Sequence, residues 1–128
     1  MLRCVLVSAL AVFAAAPLPA LAHHSFAMFD AEKTVAVSGT VTEFTWGNPH
    51  TWISVLPSDG SSAKAWGVEA GSPNMMIRQG WKSSLIKVGD KVTVKIHPMK
   101  DGTATGSLVN ITLADGRVLG PGGPPPAP

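Results

Sequence analysis

The sequence predicts a mainly β protein: a small OB-like antiparallel barrel of five to six strands with one short helix between strands three and four. Three observations predict it. Apolar residues recur at period two in five separate stretches, punctuated by Gly and Pro turns. The alternation breaks once, around residues 72–80, where the pattern turns helical. The first strand is long and carries a mid-strand glycine, as a strand bending around a small closed barrel must. A β-sandwich is the runner-up, but five or six strands are few for one.

The chain divides into three parts. Residues 1–22 read as a cleaved signal peptide: Arg3 is the basic start, 5–16 the apolar segment and Ala20-Leu21-Ala22 the small-residue cleavage site. That apolar segment is too short, and too closely followed by Pro17 and Pro19, to read as a spanning helix. The expectation is a periplasmic or secreted protein whose mature chain begins at His23 and has no membrane span. Removing 22 residues from 128 leaves 106, which suits a single β-barrel domain over 23–119. Residues 120–128 are nearly all Gly and Pro. They bury too little to offset their ordering entropy and read as a disordered tail.

Composition narrows the chemistry. Cys4 is the only cysteine and leaves with the signal peptide, which excludes disulfides and thiolate sites from the mature chain. The formal charge of +2 includes Arg3, so the mature chain carries +1. No Lys/Arg run marks a nucleic-acid or anionic-membrane partner.

Each element follows from its residues. Val35, Val37 and Val41 share one face of a strand over 34–46, with Gly39 between them. Phe44 and Trp46 fall on the opposite parity, so a bulge near Thr42 and Glu43, or a bend at Gly39, is needed to turn them inward. Gly47-Asn48-Pro49 is a turn, and His50 opens a second strand over 51–56. Pro57-Ser58-Asp59-Gly60 turns the chain toward a third strand over 64–70, which carries Trp66 and Val68. Ser72-Pro73 is an N-cap followed by proline at the first helical position. The helix spans 74–79, with Met75, Met76 and Ile77 as its apolar side, and stops at Gly80. Val92, Val94 and Ile96 point inward from a fourth strand over 91–97, ended by Pro98. A fifth strand follows at roughly 104–113, and Asp115-Gly116 turns Arg117-Val118-Leu119 back along an edge.

All four histidines, His23, His24, His50 and His97, belong to the mature chain. A terminal His23 would present an α-amino group and an imidazole together, a bidentate claw for a transition metal. His50 lies between strands one and two and His97 between strands four and five. In an OB barrel those loops flank the ligand-binding face, so the two share a rim. Imidazoles with an α-amino group suit copper(II), and zinc is the next choice. The candidate metal set is His23, His50 and His97, with His24 as alternate ligand. Asn-Pro-His and His-Pro are also ordinary turn material, and the same residues would serve a purely structural role.

A second candidate face is formed by Trp46, Trp52, Trp66 and Trp81, which would stack a small molecule or dock an envelope protein without metal. The alternative for them is core packing. Nothing marks a catalyst. Asp30, Glu32, Glu43, Glu69 and Asp101 show no paired-carboxylate spacing. Ser25 beside His24 is a sequence neighbour and not a triad, and no Gly-rich phosphate loop precedes a helix. The chain reads as a binding module and not as an enzyme, with a copper-dependent oxidase built on a terminal-histidine brace as a third reading.

The motifs Ala-His-His-Ser-Phe at 22–26, Trp-Gly-Asn-Pro-His at 46–50, Arg-Gln-Gly-Trp at 78–81, Gly-Asp-Lys-Val-Thr-Val at 89–94 and His-Pro-Met-Lys-Asp-Gly at 97–102 are specific in their order and spacing. So arranged, they resemble a domain-of-unknown-function family of small exported bacterial proteins. The resemblance implies export, a compact β domain and histidines at the positions of His23, His24, His50 and His97. It implies no established activity.

Overall fold

The structure, a computed structural model, describes residues 26–120. The expected signal peptide, His23, His24 and residues 121–128 of the tail lie outside the described residues.

A 3-10 turn, Phe26–Met28, leads into β1 (Val35–Thr45), β2 (Trp52–Pro57), β3 (Trp66–Glu69), α1 (Pro73–Arg78), β4 (Lys91–Pro98), β5 (Thr105–Thr112) and β6 (Val118–Leu119). Hydrogen-bonded neighbours run β3-β2-β1-β4-β5-β6, and β3 also pairs with β5. That second pairing is parallel, Gly67 to Glu69 against Thr105 to Ser107, and it closes five strands into a barrel. β6 adds to the open flank of β5. This is the OB arrangement expected from the order of elements, with the short helix between the third and fourth strands.

β1 makes closure possible because it serves two neighbours. Its first half pairs with β4 and its second half with β2, and Gly39 belongs to both ladders, opposite Val92 and Pro57. A Cβ at Gly39 would run into the Leu56 carbonyl, so only glycine allows the strands to approach there. The register against β2 slips between Val41 and Glu43, the bulge that the parity change requires. Beyond it, Phe44 and Trp46 pack against the core, their rings 6.1 Å apart.

The barrel interior is Val37, Val41, Ile53, Val55, Val68, Val92, Val94, Ile96 and Ile111, all buried. Met76 of α1, with Trp81 and Ile86 from the connection to β4, belongs to the same core. The helix starts where Ser72 accepts a bond from the Met75 backbone N–H at 3.4 Å, and Gly80 follows it at φ +86°. Its apolar side differs from the expectation. Met76 is buried, but Met75 and Ile77 are 48 % and 56 % exposed. Successive helical residues stand about 100° apart, so three in a row cannot share one face. Among the described residues no helix is long and apolar enough to cross a membrane.

Candidate functional site

Registers carry one row of side chains around the outside of the barrel. Trp52 of β2 pairs with Glu69 of β3, Glu69 with Ser107 of β5, and Ser107 with His97 of β4. Residues in register share a face, and strand alternation turns these away from the core that Val68 and Ile96 enter. Part of this row forms the wall of a cavity of about 360 Å³ on the β3–β5 seam. Glu69, Ser107, Leu108 and His97 line it from the strands, Met75, Met76 and Trp81 from the helix and its exit, and Phe26 from the N-terminal turn.

His50 reaches the same cavity from the residue that precedes Thr51. Backbone bonds hold it there: Thr51 N–H donates to the Gly71 carbonyl and Ala70 N–H to the Thr51 carbonyl, both at 2.9 Å. These bonds carry the β2–β3 pairing past its last ladder residue. They set the imidazole beside the end of β3, where Nδ1 lies 3.3 Å from the Ala70 carbonyl oxygen and 3.3 Å from Glu69 Oε1. His97 Nδ1 lies 2.7 Å from the Lys33 carbonyl oxygen.

Those contacts fix the tautomers. A carbonyl oxygen only accepts, so each Nδ1 carries the proton and donates it. In the neutral ring Nε2 then keeps a free lone pair. The cavity thus has two imidazoles along its lining whose uncommitted nitrogens are acceptors. Among the described residues its one acidic or basic side chain is Glu69, only 14 % exposed, and no Lys or Arg lines it.

Of the four candidate ligands, His50 and His97 come to one cavity, although 47 positions separate them, while His23 and His24 lie outside the described residues. Among the described residues no group of three or more His, Cys, Asp or Glu is arranged to hold a metal ion. The four tryptophans are dispersed. Trp81 is buried and lines the cavity, and it also borders a second depression together with Trp46, Ile77 and Gly80. Trp52 lies across Gly67, and Trp66 borders a third depression with Pro57 and Ser58. Sequence reasoning passes over Ser107 and Phe26 as site residues and sets Glu69 aside for want of paired-carboxylate spacing, because only the pairing of β3 with β5 and the placement of the N-terminal turn bring them together.

A family model described as a family of unknown function (DUF6152) matches residues 10–109. No curated protein matches the chain. One solved structure with similarity is the crystal structure of the mitochondrial single-stranded DNA binding protein Rim1 from S. cerevisiae. It aligns with a TM-score of 0.47 at 12 % identity, over 64 % of this chain and 93 % of that one.

Proposed function

The chain belongs to the family of unknown function DUF6152, and for this member we propose an exported, periplasmic binding protein that holds a transition-metal ion at the cavity shared by His50 and His97. One observation carries the reading. Both imidazoles line one cavity, and each commits Nδ1 to a backbone carbonyl. Metal-ligating histidines are oriented in this way, with the second ring nitrogen handed to an outer partner.

Two imidazoles fall short of a full ligand set. The proposed completion is His23, with His24 as alternate. Phe26 already borders the cavity, three positions after His23. Three extended residues cover about 10 Å, enough to bring the terminal amine and imidazole to the rim. An all-nitrogen set favours copper(II), with zinc second. The amine and imidazoles must give up protons to bind, so affinity falls in acid.

The test is a copper(II) titration of the processed protein beginning at His23, followed by spin resonance, beside the same protein with one added N-terminal residue. The reading expects one copper per chain, lost on extension and weakened by His50→Ala and by His97→Ala. Equal, weak binding in all forms would show that the histidines are structural. Mass spectrometry of the exported chain checks the processing, with His23 as the expected first residue.

A further inference from the structure

We propose that the same cavity, in the metal-free protein, binds a small organic ammonium ion with an apolar body. This goes beyond the metal reading and stands on different groups. The first is the Glu69 carboxylate. It is 14 % exposed, lines the cavity, and has His50 as its one side-chain partner among the described residues, at 3.3 Å. A carboxylate so far removed from water, with no Lys or Arg in the surrounding wall, is short of a positive partner.

The remaining polar groups match one kind of ligand. With Nδ1 of His50 and of His97 already donating to carbonyls, the nitrogens left over are acceptors. The Ser107 hydroxyl takes either role, and the Gln79 amide, which also lines the cavity, offers a carbonyl acceptor beside its N–H donors. An alkylammonium brings three donors and no acceptor, which Glu69 and these acceptors can take. A carboxylate or phosphate ligand would meet Glu69 with like charge.

The rest of the wall is apolar. Trp81 and Phe26 line it with aromatic rings, the kind of group that attracts organic cations. Met75, Met76 and Leu108 offer contact to a hydrocarbon body. Phe26 and Met75 are 73 % and 48 % exposed at the cavity, so they gain most from being covered. The volume of about 360 Å³ holds a single small molecule and stands near the low end of the size of ligand pockets.

The experiment uses the processed full chain with a chelator present. Phenethylammonium, phenethyl alcohol and 3-phenylpropionate share an apolar body and differ in charge. Each is titrated by calorimetry and by tryptophan fluorescence. The ammonium is expected to bind about ten-fold or more tighter than the carboxylate, with the alcohol between them. Glu69→Gln is expected to remove about ten-fold of the ammonium's advantage, with circular dichroism unchanged. With the chelator removed, copper(II) and phenethylammonium are expected to compete. Three results would overturn the proposal: equal binding of ammonium and carboxylate, an ammonium affinity indifferent to Glu69→Gln, or binding of neither. Copper binding with no response to phenethylammonium would remove this inference and leave the metal reading intact. The reverse pattern would remove the metal reading alone.

Discussion

The imidazole of His97 is held by the backbone of Lys33, Nδ1 donating to that carbonyl at 2.7 Å across 64 positions of sequence. This bond ties the end of β4 to the segment that enters β1. It also leaves Nε2 of His97 as the nitrogen available to a ligand.

Metal affinity should therefore depend on both rings. His97→Ala and His50→Ala are each expected to lower copper(II) affinity by more than the ~10–100-fold that loss of an outer partner costs. Competition titration against a chelator of known affinity measures this. A change of less than two-fold in either variant would remove that histidine from the site.

Thr51 offers a stability test with an unusual sign. It is fully buried, and its hydroxyl oxygen finds no partner among the described residues. Thr51→Val keeps the shape and removes the unsatisfied group, so it should stabilise the fold by ~1 kcal/mol or more. Urea unfolding checks the direction, and a destabilised Thr51→Val would show that the hydroxyl has a partner in solution.

Gly39→Ala should act oppositely. The added methyl meets the Leu56 backbone where β1 serves two ladders, and backbone cannot swing away. The expected cost is at least ~3 kcal/mol, the upper end for forced overpacking. A urea midpoint near that of the parent protein would show that the barrel can shift at this crossing.

Acid should loosen the turns. The backbone N–H of Thr103 holds Asp101 below the ordinary aspartate value of 3.8, and the N–H of Arg117 does the same for Asp115. Bonding from Ser61 lowers Asp59, and the Lys33 ammonium lowers Asp30. Folded values below the unfolded one mean that the stabilisation is present above pH 3.8 and is lost as pH falls through the folded values. Tm should decline more steeply below pH 3.8 than above it, and Asp101→Asn should flatten part of that decline. Asp59, Asp101 and Asp115 are exposed and Asp30 is partly so, and each contribution is small.

Much of the fold is legible in the residues, for identifiable reasons. The alternation of Val92, Val94 and Ile96 suffices to read β4, and the parity change between Val41 and Phe44 locates the bulge. The helix start is written in Ser72-Pro73. The apolar face of α1 is not, because Met75, Met76 and Ile77 are consecutive and only packing decides which one is buried. The site is half legible. His50 and His97 are marked by chain order, although His97, expected in the connection after β4, is still in that strand, paired with Ser107, because the β4–β5 ladder runs on to Pro98. Glu69 carries no such mark. Its parity in β3 reads only as outward-facing, and its neighbourhood with Ser107 and His97 arises from a parallel pairing that no local pattern encodes.

That pairing is also the shortest ladder among the five strands that close the barrel. Three residues of β3 meet three of β5, and the cavity sits across them. Its wall is complete only when that seam is closed, so a chain with the seam open has nowhere to hold an occupant. Whatever settles there acts as a rivet through the closure. It favours the closed barrel by mass action, and it should slow hydrogen exchange first at Val68, Glu69 and Ser107.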